Sequence, residues 1–521
     1  MLPATGSQRL YGQNAAADRR PQVTAAARTP TRPAAAPAAP GQAAPGGAAS
    51  ADFDSLIDLI TSTVQADSWL ENGTGEGEIQ PFAINGVYVD AAGAVRLRPG
   101  ASRSASLAAI RQAGAAGKTA DPGDARVPSD LRYVSLVRLE AAIAARLARQ
   151  GPLDPEMLTL AGLQRIRYIL VYPDNRDLVL AGPAGDWTAI AGGGLVSAGA
   201  GRPIVRLDDL LALWRRQRSQ RASAFGCSIV PRQAALAQVQ DYLAASSARP
   251  IDAGARREWL EGLRRALGVQ DVEYYNVDPA SRIANLLFFA DYHMKLIGMG
   301  LAEGVPGVSS YLAAVRVGPD GRPPAMSVLR WWFSMPQLVV DATAERDAFA
   351  VPQRCIEVLS ENEMLAARGQ RVHTGQSDDD NRRFAESFTK NFAAIADKYP
   401  FYGELERVFE LALAISIIER QQLAEMAGWS PSLFLDDARL ALPKGRAPRT
   451  VETVINHRVI GGRHVIAGVS GGVWLDGGTS AKVIGATGDA AAKLAAIKAS
   501  PRTPLALPSN GHEHDMAWWW D

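Results

Sequence analysis

The sequence predicts an α+β protein built on two helix-plus-β-hairpin repeats, followed by a strand-rich segment and a helical hairpin, with disordered termini. Three observations lead there. The stretch Gly162 to Arg176, GLQRIRYILVYPDNR, returns as Gly268 to Arg282, GVQDVEYYNVDPASR, with Gly, Gln, Tyr, Val, Pro and Arg at identical spacing. Short apolar runs alternate with segments whose apolar residues recur at helical spacing. Both ends of the chain are rich in small and polar residues, too poor in large apolar groups to offset chain entropy.

The totals bound the answer. At 521 residues, 47% hydrophobic and 21% charged, the chain has room for two to four domains with ordinary cores. A net charge of +1 argues against a whole-protein nucleic-acid or membrane field. Cys227 and Cys355 stand far apart in no metal or redox spacing, which leaves a disulfide or two buried thiols. No apolar run reaches the roughly 18 residues of a spanning helix. The residues after Met1 carry no apolar signal-peptide core, which reads as cytoplasmic if that start is genuine.

In order, residues 1–50 form the disordered Ala/Pro-rich arm. Residues 51–96 make a module with a helix (Phe53, Leu56, Ile57, Ile60, Val64), a GTGEGE turn and a hairpin over 86–96. A Gly/Ala/Ser linker covers 97–128. Repeat 1, 129–226, opens with a helix striped by Leu136, Leu139, Ile143 and Leu147 and capped by Ser135. Its hairpin runs from Ile166–Val171 through Pro173-Asp174-Asn175 to Leu178–Ala181. Repeat 2, 227–316, places a helix around Trp259 and Leu263, a strand at Val272–Val277, and a returning strand at Ile283–Tyr292. That last segment also fits a helix, but its counterpart holds Gly182 and Pro183, which favours a strand. The strand-rich segment 317–368 follows, with Ala313–Val317, Met326–Phe333, Leu338–Asp341 and Cys355–Leu359 as strands. A helical hairpin (369–428), capped near Asp378 and broken at Pro400, a loop and meander (429–476) and a disordered tail (477–521) complete the chain.

Candidate chemistry is sparse. Asp291 beside an apolar run, with Lys295 and Arg282 near it, is the one carboxylate whose surroundings would raise its pKa for acid or base work. The competing reading is a structural ion pair, and the similar Asp186-Trp187 pair in the first repeat, matching Asp291-Tyr292, favours it. A two-residue turn at Gly461-Gly462 pairs Val459 with His464 and sets His457 and His464 on one face, but a metal needs a third ligand. The run His512 to Asp515 sits in the tail without a scaffold. Arg215 to Arg221 is basic enough to touch phosphate, though a helix end explains it as well. Trp331-Trp332 reads as core or interface. No cofactor is expected from these residues.

The stretches Asp52 to Val64, Asn85 to Arg96, Asp278 to Leu301 (DPASR with ADYHMKLIGMGL) and Leu329 to Phe333 (LRWWF) together resemble a planctomycete family of proteins carrying domain of unknown function 1598. The resemblance runs over about Asp52 to Glu419 and implies a common scaffold, an exported or periplasmic address and no stated activity. It marks Asp291, Met294, Lys295 and Gly298 as positions of interest. The reading that follows is a non-catalytic scaffold or binding protein of the bacterial cell envelope. The rivals are a hydrolase using Asp291 and Lys295, helped by a metal at His457/His464, and nucleic-acid contact through Arg215–Arg221.

Overall fold

The structure, a computed structural model, describes residues 78–82, 86–90 and 124–521, the last span apart from 191–193, 220–223, 247–255, 316–325, 461–462 and 500–516. The expectations for the arm 1–50, the helix from Asp52, the GTGEGE turn, residues 97–123 and His512–Asp515 lie outside the described residues. Among those described, the architecture is α+β, with helices packed between two large sheets. Strands are numbered in chain order, and so are the helices longer than a turn or so.

β1 (Glu78–Phe82) pairs with β2 (Gly86–Asp90). The first strand of the hairpin expected over 86–96 thus pairs with the residues before it, and residues 91–96 lie outside the described residues. A seven-stranded sheet joins β3 (Ser129–Ser135), β4 (Tyr168–Tyr172), β5 (Asp177–Ala184), β11 (Leu338–Ala342), β12 (Ala348–Ala350), β18 (Ala481–Gly485) and β19 (Trp519–Trp520). Its order is β18-β11-β12-β4-β5-β3-β19. The β4–β5 hairpin follows from apolar YILVY, a turn at Pro173–Asn175 and apolar DLVLAGPA. Beyond it, β6 (Trp187–Ala189) and β7 (Leu195–Ser197) form a small hairpin.

An eight-stranded sheet holds β8 (Phe225–Pro231), β9 (Val269–Tyr275), β10 (Met326–Ser334), β13 (Glu357–Leu365), β14 (Arg371–His373), β15 (Thr450–Glu452), β16 (Ile455–Ile460) and β17 (Arg463–Leu475). Its order is β14-β13-β10-β17-β8-β9-β15, with β16 also on β17. β10 and β17 pair in parallel and join two antiparallel halves. The expected meander register holds, with Val459 opposite His464 and Ile460 opposite Arg463.

The helices are α1 (Leu136–Ala148), α2 (Leu207–Ser219), α3 (Gln233–Ser246), α4 (Arg256–Leu267), α5 (Arg282–Gly298), α6 (Asp379–Lys390), α7 (Phe392–Lys398), α8 (Pro400–Arg420) and α9 (Gly488–Ala499). Ser135 Oγ accepts the Arg138 N–H at 3.0 Å to cap α1, and Asp378 accepts from Asn381 at 2.8 Å to cap α6. Pro400 opens α8 at the one place where its missing N–H costs nothing. Apolar faces from both sheets meet α5 and α8 in one core, including Ile169, Leu180, Trp331 and Phe333.

The main departure from expectation is Ile283–Tyr292, which belongs to α5 and not to a returning strand. Ser281 Oγ caps the helix by accepting the Ala284 N–H at 3.2 Å, and no Gly or Pro interrupts it before Gly298. The helical spacing of the segment is therefore real, and the Gly-Pro of the first copy says nothing about the second, whose own residues contain no helix breaker. The two copies thus share a glycine and a strand but not a hairpin.

Two smaller corrections concern short elements. The strand expected from Ala313 is preceded and overlapped by a turn of helix, Tyr311–Ala314, capped by Ser310. In the tail expected to be disordered, β18 adds in parallel to β11, and β19 adds to β3. There α9 also packs Leu494 against Tyr133, Tyr168 and Leu170 on the outer face of the seven-stranded sheet. Edge strands of a few residues and an Ala-rich helix carry too little periodicity to be seen locally.

Candidate functional site

Asp291 and Lys295 face each other one turn apart on α5, and neither side chain has any exposed surface. Lys295 Nζ donates to Asp291 Oδ2, while Asp291 Oδ1 has no hydrogen-bond partner. Burial pushes the carboxyl up, against the pull of Lys295, and pushes the ammonium down, against Asp291. Burial likewise raises the nearby Cys227 thiol, with the Asp291 charge adding to it. Both cysteines are free and buried. The arrangement is an ion pair closed off in the core, with no exposed surface on either side chain among the described residues.

The other expected residues do not converge on that pair. Arg282 leaves it and staples three helices, donating from α5 to Asp209 on α2 at 2.7 Å and to Glu404 on α8. Burial, opposed by Arg282, pushes Asp209 up to about 6. Asp186 is at the surface, bonded to Arg126 at 2.5 Å, and that guanidinium lies 4.3 Å from the Trp187 ring centre. Tyr292 is buried and stacked on Phe288. Met294 is core, and Gly298 lets α5 approach the sheet, since a Cβ there would meet the Trp331 ring at 2.3 Å.

His457 lies opposite Ile466 on the hairpin, and among the described residues no group of three or more His, Cys, Asp and Glu could hold a metal. Of the basic run, Arg221 lies outside the described residues, and Arg215, Arg216 and Arg218 are engaged. Arg215 donates to the carbonyls of Phe434 and Leu440 and to Asp437 at 2.6–2.8 Å, Arg216 to Asn276 O at 3.0 Å, and Arg218 to Glu419 at 3.1 Å. The cavity of about 10 Å³ beside Arg216 and Ser416 has room for a single water.

The feature that sequence reasoning missed is the outer face of the eight-stranded sheet. Strand register sets Leu359, Trp332, Gly472, Ser228 and Glu273 side by side in one row, and Ser334, Trp474, Gly226 and Tyr275 in the next. Gly472 and Gly226 are buried in these rows, and a Cβ at Gly226 would meet the Tyr275 hydroxyl at 2.5 Å, so the glycine lets that ring lie flat across the strand. Trp474 is 49% exposed and Leu359 36%, whereas Trp331, on the opposite face, is fully buried. Tyr275 and Trp474 have centroids 5.3 Å apart, and Arg330 lies 4.4 Å from the Trp332 centroid.

Next along the face comes a charged lattice. Arg330 bonds Glu361 at 3.0 Å, His373 Nδ1 lies 3.3 and 3.2 Å from Glu361 and Glu363, and Arg371 with Ser470 holds Glu363. Burial alone would raise Glu361, but the Gly375 N–H and Arg330 outweigh it and hold the carboxyl below the usual range. Helices α3 and α4 pack against Ile455 farther along the same face, and among the described residues Trp474 and Leu359 stay exposed. The missed signal was period two: consecutive tryptophans in one strand point to opposite faces.

No curated protein and no solved structure matches the chain. A family model matches a narrower span than the resemblance suggested, one that omits Asp52–Val64, Asn85–Arg96 and Leu329–Phe333. Residues 227–311, from β8 through α5 to Tyr311, match the family model described as protein of unknown function (DUF1598).

Proposed function

We propose that the protein is a non-catalytic binding or scaffold protein and that the open aromatic rows of the eight-stranded sheet are its binding face. The observation that carries this reading is the exposure of Trp474 and Leu359 beside Trp332 and Tyr275, on a face that the other described residues leave partly open. Apolar surface of that kind, rimmed by polar groups, is characteristic of recognition. Rigid rings suit a ligand with flat, partly apolar faces, and Ser228, Glu273 and Arg330 supply polar contacts around them. A glycan strand of the cell envelope has that chemistry, and the family resemblance supports the envelope as its place of action.

The hydrolase reading has no comparable support, because a substrate has no path to an Asp291–Lys295 pair without exposed surface. The test is co-sedimentation with insoluble peptidoglycan and cell-wall polysaccharide. The Trp332→Ala/Trp474→Ala variant should lose at least about tenfold in affinity, equivalent to ~1.4 kcal/mol, with an unchanged far-UV circular dichroism spectrum. Retention of wild-type binding by the folded variant would place the binding face elsewhere.

A further inference from the structure

We infer that the edge of β3 on which β19 sits is a docking site for an extended aromatic-aromatic-acid segment, and that the partner it fits is a second copy of this chain. The inference is independent of the sheet face above. The site is seen with the chain's own segment seated in it. Trp519 and Trp520 pair with Val134 and Tyr133, and the Ser135 N–H donates to Trp518 O at 2.8 Å. This is strand addition, in which backbone bonds give adhesion and side-chain contacts give selectivity.

The selectivity is built around Arg132, whose side chain is fully buried. Its Nη1 donates to the carbonyls of Ala125 and Ala161, and its Nη2 to Val127 O at 2.9 Å. A guanidinium has five N–H groups, so two remain. Both go to the Asp521 carboxylate, from Nε at 2.8 Å and Nη2 at 2.9 Å, as a two-pronged pair. The same guanidinium lies 4.3 Å from the Trp519 centroid, and Trp520 stacks on Tyr133 with centroids 5.7 Å apart and planes 1° from parallel. An acid one residue beyond a Trp-Trp pair is therefore what the edge reads.

The seated segment also has the marks of a replaceable ligand. Its strand is two residues long, Asp521 is 42% exposed, and the buried Trp520 Nε1 has no acceptor. Residues 500–516 separate it from α9, and that much chain can span up to about 60 Å at ~3.5 Å per residue. A second copy whose β3 comes inside that distance can take the segment in place of its own. Exchange between two copies replaces every contact with an identical one and needs no new surface, which makes swapping a low-cost route to a dimer.

The test uses the full chain carrying Trp519→Ala/Trp520→Ala/Asp521→Ala as acceptor, with Asp521→Asn as a milder acceptor should the triple variant fail to fold. The probe is a fluorescein-labelled, C-terminally amidated peptide with the sequence of Ala517–Asp521, followed by anisotropy. Either folded acceptor should bind it at least about tenfold more tightly than wild type, whose own segment competes at an effective concentration near ~1 mM. A peptide with Asn in place of the Asp should bind at least about tenfold more weakly. Light scattering on wild type mixed with acceptor should show a heterodimer. A folded acceptor that ignores the peptide, or takes the Asp and Asn peptides alike, overturns the site. Peptide binding without a heterodimer overturns the second copy as partner.

Discussion

After Gly162 and after Gly268 the chain begins alike and then diverges. Both glycines are left-handed, with φ of +72° and +57°, and both lead towards a strand that holds the shared tyrosine, Tyr168 in β4 and Tyr274 in β9. Past the shared proline, one path turns at once and returns as β5, while the other is capped by Ser281 and becomes α5. The ionisable groups follow suit: Asp186 is a surface partner of Arg126, and Asp291 is sealed in the core with Lys295. A short recurring sequence therefore fixes a backbone turn and a strand, whereas the fate of the following residues depends on their own interruptions and on what they pack against. Gly182-Pro183 rules out a helix in the first copy, and nothing comparable does so in the second.

Matched substitutions sharpen this contrast. The largest difference is expected between the two aspartates. Asp291→Ala, which strands a buried Lys295, should lower stability by about 3–5 kcal/mol, and Asp186→Ala by at most about 1 kcal/mol, both read from urea unfolding. If the two cost the same, the burial contrast is wrong. Replacing both partners, Asp291→Leu/Lys295→Met, should be neutral or stabilising by roughly 1–4 kcal/mol.

The glycines should differ less. A Cβ at Gly162 would lie 2.2 Å from Gly185 O, adding overpacking of ~1–3 kcal/mol to the ~1–2 kcal/mol of a left-handed alanine. Gly268 faces open space, so Gly268→Ala should cost only the second amount. Thermal midpoints of the two variants give the comparison.

The smallest effect is a pH slope belonging to the second copy alone. His293, bonded to Tyr402 at 3.0 Å and ringed by Phe289, Tyr399 and Phe401, is pushed down to about 3, chiefly by burial and then by Lys398. The unfolded chain takes up this proton first, near pH ~6.5, so stability falls as pH drops from there towards the folded value. Up to about 2 kcal/mol should be lost between pH 6.5 and 5, and urea titrations of His293→Phe should lack that part of the slope.

How much of this could be read from the residues depended on whether the signal was local. Ser135, Asp378 and Pro400 announce their helices because capping and proline chemistry act within a turn. The register of Val459 on His464 follows from the two-residue turn between them. α5 was misread although its helical spacing was legible, because the Gly182-Pro183 of the first copy was allowed to decide for the second. Asp291 was recognised as a structural candidate, yet its closure by the core comes from distant elements. The aromatic rows combine residues 275, 332, 359 and 474, four strands far apart in sequence, and no window of sequence holds them together. Trp332 alone was within reach, through the alternation that sends Trp331 inward.

The parallel pairing of β10 with β17 carries a consequence for assembly in time. β17 is the strand that joins the β14-β13-β10 half of its sheet to the β8-β9-β15 half, and it lies more than a hundred residues after β10. During synthesis the two halves exist before the strand that unites them, each with a row of unpaired backbone groups. Such late, long-range closure is slow because loop entropy is spent before the contacts that repay it form. Until residues 463–475 have been made, the open edges of β10 and β8 are the places where a nascent chain would be most exposed to wrong partners, and where a chaperone would have most to protect.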